Sequence, residues 1–197
     1  SWSGSRKRQG PIGTADGMGH QNFRARAMNA LHAGADGIEV FNLFDPKHPF
    51  WSEAGDAEHL STLDKDYFID GHFRFLLGRE IRDPLRFCTL PTQLDPEIPV
   101  RLEPTQGFEI GITIGEDPSQ NPESEVTLGI CVEGLTEAEG MIVSLNGEKV
   151  EGGDLKGRWV TYPVASDRIR KGLNEIGVIN REPTVKRIVL MDVHVGI

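Results

Sequence analysis

From Phe108 to Ile114 the chain reads FEIGITI, with Phe108, Ile110, Ile112 and Ile114 on one parity and Glu109, Gly111 and Thr113 on the other. That alternation is the period of a strand with one buried face. Similar short runs recur between turn residues: PVRLEP, EVTLGICVEG, MIVSLNGEKVEG, RWVTYPV, NEIGVIN and VKRIVLMDVHVGI. Regular short strands with little helix between them predict an antiparallel β-sandwich over residues 100–197. Inside one run, Asn146-Gly147 predicts a two-residue type I′ hairpin turn.

The N-terminal part has a different period. In NFRARAMNALHA, residues 22–33, Phe23, Ala27, Ala30 and Leu31 share a helical face while Arg24, Arg26 and Asn29 point away. Asn22 is placed as N-cap and Gly34 as the C-terminal stop. The following GADGIEVFNLF predicts a short strand over Gly37–Leu43, so helix and strand together form the second half of a βαβ unit. Asp45 to Arg82 reads as loops and short helices, with Asp56 capping one that runs through Leu63. Pro84, Pro91, Pro96 and Pro99 then break regular structure. The expected division is therefore 1–83 helix-strand, 84–99 linker and 100–197 sandwich.

The 197 residues carry a net charge of −9 with 38% hydrophobic and 26% charged residues, a globular balance. An acidic chain whose one basic cluster is Arg6-Lys7-Arg8 lacks the clustered cations of a phosphate-tracking surface, so no nucleic-acid partner is expected. No run reaches the ~20 apolar residues of a membrane span. Cys88 and Cys131 stand far apart in unlike contexts and make neither a metal knuckle nor a disulfide framework. GTADGMG lacks the preceding strand and the spacing of a phosphate loop, so neither a nucleotide cofactor nor a metal is expected. The chain opens on Ser1 without an initiating methionine, which makes the missing leader uninformative and a processed or excised fragment the expectation.

Two stretches carry resemblances. RARAMNALHAGADGIEVFNLFDP followed by WSEAGDAEHLSTLDKDYF resembles the last helix-strand unit of a (β/α)8 (TIM) barrel from bacterial glycoside-hydrolase-like proteins, over roughly residues 20–70. VSLNGEKVEG, GRWVTYPV, IRKGLNEIGVIN and the closing IVLMDVHVGI are similar to the galactose-binding-like jelly-roll sandwich appended to many glycosidases. Together they imply the C-terminal portion of a carbohydrate-active enzyme that hydrolyses glycosidic bonds. A barrel leaves no open edge only when all its strands close, so its other strands are expected from a longer chain or a partner subunit. The rival reading is a non-catalytic carbohydrate-binding or structural module, since such a sandwich supports many functions. The sequence leaves the compartment open, although enzymes of the type it resembles are commonly exported or periplasmic.

In a barrel strand one parity faces the filled interior, which would point Glu39, Phe41 and Leu43 inward and Ile38 and Val40 toward the helices. An inward carboxylate must be paired, protonated or catalytic, because an unpaired buried charge is costly. Glu39 is thus the catalytic candidate, as one of the two carboxyl groups of glycoside hydrolysis; the alternative is a core ion pair with an arginine of another strand. Barrel sites gather at the carboxyl ends of strands, where Asn42, Asp45, His48 and Trp51 would meet a sugar. Trp51 offers a stacking ring, Asn42 and Asp45 offer hydrogen bonds, and His20 with Trp2 would line the same face from the loop before the helix. For Asp45 before Pro46 the competing role is turn initiation. In the sandwich, Trp159 and Tyr162 lie on opposite parities, so one belongs to the core.

Overall fold

The computed structural model describes residues 20–39, 45–69 and 99–197. Helix α1 (His20–His32) is followed by two single-turn helices, α2 (Phe50–Glu53) and α3 (Ala57–Leu60). Ten strands follow in chain order: β1 (Lys65–Ile69), β2 (Val100–Leu102), β3 (Gly107–Ile114), β4 (Glu125–Glu133), β5 (Met141–Leu145), β6 (Glu148–Val150), β7 (Asp154–Lys156), β8 (Trp159–Val164), β9 (Gly172–Asn180) and β10 (Lys186–Gly196). They build two sheets, one in the order β1-β10-β4-β8-β7 with β2 also on β10, the other β3-β9-β5-β6. The pairs are antiparallel, and the core lies between the sheets.

The alternation read in FEIGITI holds: Ile110, Ile112 and Ile114 are buried and Phe108 packs against them at the rim. They meet Leu128 and Ile130 of β4, Val160 and Tyr162 of β8, and Met191, Val193 and Val195 of β10 in one core. Of the two sandwich aromatics, Tyr162 is the buried one and Trp159 is half-buried. Asn146 and Gly147 both take positive φ, 54° and 83°, as a type I′ turn requires, and the β5–β6 hairpin closes over them.

The N-terminal part departs from the barrel unit. Residues 37–39 of the expected strand are irregular, and residues 40–44 lie outside the described ones. No parallel pair occurs among the described strands, so the helix-strand barrel portion is not part of what they form. Lys65–Ile69, expected as loop and helix, is instead a strand paired with β10, from Lys65 opposite Val195 to Ile69 opposite Met191. Farther along the same edge β2 pairs with β10, Val100 facing Ile188. β1 and β2 thus lie along one edge of β10, separated in the chain by the stretch 70–98. The expected boundary at 83/84 and the linker fall in it, outside the described residues apart from Pro99.

Helix α1 packs against β1 and β3 rather than against a barrel strand of its own. Ala25 enters the sandwich core, while Ala27 and Met28 join a smaller cluster with Phe50, Ala54 and Leu60. Asn22 is not the N-cap; the helix begins at His20, and the buried Asn22 donates from Nδ2 to the carbonyl of Asp66 at 3.2 Å. Asn29, expected to face solvent, donates to the carbonyl of Thr113 at 2.9 Å. These two amides fasten the helix to β1 and β3, the tertiary partners that periodicity alone does not reveal. At its end Gly34 takes φ 92° and closes a Schellman-type stop, with Ala35 N–H donating to the carbonyl of Ala30 and Gly34 N–H to that of Leu31. Asp56 caps α3 as expected, accepting from the N–H groups of Glu58 and His59, although the helix ends at Leu60.

Candidate functional site

The first turn of α1 and the α2 turn meet at one corner of the molecule. Pro49 leads into α2, and Phe50, 1% exposed, anchors the turn in the smaller core against Phe23, their rings 5.4 Å apart. With Phe50 fixed, the next residue must point outward: Trp51 is 45% exposed. Its indole N–H donates to the carbonyl of Asp45 at 2.8 Å, which fixes the ring at the surface. Asp45 itself makes the turn, Oδ1 accepting from Lys47 N–H at 2.9 Å.

Two histidines sit beside this aromatic wall. The His20 and His48 rings approach edge-on at 5.0 Å, and His48 lies 6.0 Å from Phe23. Phe50 N–H donates to His48 Nδ1 at 3.3 Å, which in the neutral ring leaves the proton on Nε2. His20 Nε2 lies 2.8 Å from Glu53 Oε2, a contact out of line with the ring N–H.

Glu53 is the organising charge. Arg24, one helical turn beyond His20, grips it with two parallel bonds, Nε to Oε2 at 2.8 Å and Nη2 to Oε1 at 2.9 Å. Arg24 Nη1 also donates to the carbonyl of Asp64. The guanidinium holds the Glu53 carboxyl down at about 2, overcoming the upward push of burial, with His20 adding to the depression. A carboxylate held this way is an anchor for Arg24 and His20, not a proton donor at neutral pH.

A second charged group lies beneath. Lys65 is fully buried, its ammonium donating to the carbonyls of Leu60 and Leu63 and sitting 3.1 Å from Glu116 Oε2. Tyr67 O–H donates to Glu116 Oε1 at 2.8 Å. Burial pushes Glu116 up and Lys65 down, and each partner opposes the other's shift. All three ammonium hydrogens have acceptors, so the pair is a satisfied strut between β1 and the turn after β3.

The structure sets His20 against His48 and Trp51 against Asp45, around a corner built on Glu53, Arg24 and Phe50. Glu53 was legible only as the acidic residue of a short helix, since its partners come from a different helix. Glu39 is exposed and in no strand, which removes the burial argument that singled it out. Asn42 and Trp2 lie outside the described residues. Among the described residues no group of three or more His, Cys, Asp or Glu is arranged to hold a metal ion, and no helix is long and apolar enough to cross a membrane.

No family model matches the sequence, and none of the curated proteins does. Among solved structures the fold is similar to a β-porphyranase of glycoside hydrolase family 86 from the human gut bacterium Bacteroides plebeius, with TM-score 0.37 and 12% identity over 52% of this chain and 19% of that one. It is also similar to BuGH86wt in complex with neoagarooctaose, with TM-score 0.42 and 13% identity over 66% of this chain and 19% of that one. The chain spans about a fifth of the length of each of these structures.

Proposed function

We propose that this chain is the C-terminal portion of a carbohydrate-active enzyme that hydrolyses glycosidic bonds, and that its own contribution is to contact the sugar. The observation that carries the reading is the exposed Trp51 ring, pinned by its indole N–H on the Asp45 carbonyl. A fixed indole face accepts the C–H face of a pyranose, and the exposed Asp45 carboxylate offers hydrogen bonds to its hydroxyls. The remaining barrel strands and most of the catalytic residues belong, in this reading, to a longer chain or a partner subunit. Glu39 remains the catalytic candidate of this chain, acting from an exposed position beyond α1.

A specific observation also favours the second reading, a non-catalytic binding module. The buried carboxylates of Glu53 and Glu116 are both engaged by cations, Arg24 and Lys65, so neither is available as an acid or nucleophile. The two readings share the Trp51 surface and separate at Glu39. Titrating the full chain with neutral oligosaccharides by isothermal calorimetry should show binding that Trp51→Ala weakens about tenfold or more, the worth of one stacked ring. Unchanged affinity in that variant would remove the corner from consideration. In the longer enzyme, Glu39→Gln should abolish hydrolysis while sparing binding; full activity of that variant removes Glu39 from catalysis and leaves this chain a binding part of the enzyme.

A further inference from the structure

The outer face of the four-stranded sheet carries a groove of ≈ 240 Å³, away from the α1–α2 corner. Strand register explains its shape. Glu109 on β3 lies opposite Gly177 on β9, which lies opposite Ser144 on β5. The neighbouring row runs Gly107, Ile179, Ile142. Because Gly177 has no side chain, its row has a slot at the centre with bare backbone as floor. A Cβ added there would lie 2.5 Å from Ser144 Oγ and 3.6 Å from Glu109 Cγ, so both side chains lean over the same spot. Beside the slot, Ile179 is 41% exposed and with Ile142 forms an apolar shelf.

We propose that this groove is a second carbohydrate site, one that takes a single neutral pyranose unit of a glycan. The Glu109 carboxylate and the Ser144 hydroxyl have no hydrogen-bond partner among the described residues, and they converge on a slot open to solvent. A ring with one C–H face on Ile179 and Ile142 presents its equatorial hydroxyls at that slot, where the carboxylate accepts from them and the serine completes the pair. Charge narrows the ligand class further. No cation lines the groove among the described residues, and Lys149, across from Ser144, is paired with Glu151 at 2.7 Å. An uncompensated carboxylate attracts hydroxyl donors and repels sulfated or uronic sugars. The proposal rests on the carbohydrate reading above but not on its Trp51 surface.

The test is a glycan array carrying neutral, sulfated and amine-bearing oligosaccharides, probed with the full chain and three variants. Gly177→Ala fills the slot and displaces only a rotatable serine hydroxyl, so it leaves the fold intact; Glu109→Gln keeps the shape and removes the charge; Trp51→Ala reports on the other site. Binding of neutral glycans that falls about tenfold or more in both groove variants supports the assignment. Neutral binding that survives both groove variants and is lost in Trp51→Ala overturns the groove and leaves the corner standing. Preference for amine-bearing glycans overturns the neutral-pyranose assignment, and absence of any glycan binding overturns the groove together with the carbohydrate reading.

Discussion

Lys65 of β1 and Glu116, two residues past β3, pair at 3.1 Å with the lysine wholly out of solvent and the glutamate almost so. The contact joins a strand from the N-terminal part to the second sheet of the sandwich, and it makes the two parts one packed unit. Removing one partner leaves the other as an uncompensated buried charge. Lys65→Met or Glu116→Gln should each destabilise by about 3–5 kcal/mol, while the double variant costs clearly less than the sum. A double-mutant cycle by urea denaturation measures the difference; strictly additive costs would show that the two groups stand independently.

The Glu53–Arg24 grip makes the corner sensitive to acid. Glu53 is held at about 2 against an ordinary value of 4.5, so the folded state binds its proton less readily than the unfolded chain. That contribution to stability is fully present above pH 4.5 and is lost as the pH falls through the window down to about 2. Glu53→Gln should flatten this part of the stability profile. Urea midpoints for both proteins across that window check it, and parallel curves would sink the assignment.

Gly115 lies under α1, where an added Cβ would come within 2.5 Å of the Met28 carbonyl oxygen. The obstacle is helix backbone, which cannot rotate away. Gly115→Ala should therefore push α1 from β3, strain its Asn29–Thr113 hydrogen bond and cost about 1–3 kcal/mol. Hydrogen exchange would report the loss first in α1, and unchanged α1 protection would count against the tight approach.

Asn146 does two jobs. Its φ of 54° makes the type I′ turn, while its side chain donates to Arg168 O and Asn174 Oδ1 and accepts from Glu175 N–H. Asn146→Gly should keep the turn and lose the bonds; Asn146→Ala should lose both and be less stable than the glycine variant by about 1 kcal/mol. Equal denaturation midpoints for the two variants would show that the conformation carries no cost.

How far the sequence was readable follows period and range. Alternation in FEIGITI, the Asn146-Gly147 pair, Gly34 as a helix stop and Asp56 as a cap are all local, and each stands in the structure. Strand β1 escaped because a lysine occupies a core-facing position. In Lys65-Asp66-Tyr67-Phe68-Ile69 the buried parity reads Lys, Tyr, Ile, and only Glu116 with two loop carbonyls makes that lysine tolerable. The inward orientation expected of Glu39 erred the other way: it assumed a strand, yet residues 37–39 form none.

The chain by itself determined the alternation of β3, the Asn146-Gly147 hairpin turn, the Gly34 helix stop and the Asp56 cap, because these depend on neighbours within a few positions. Only the tertiary structure decided that β1 completes the β10 edge, that Arg24 rather than solvent takes Glu53, and that Glu109, Gly177 and Ser144 share one slot. Those pairings join residues from separate elements, and the free energy that selects them comes from desolvating charges and burying surface together, which no local window contains.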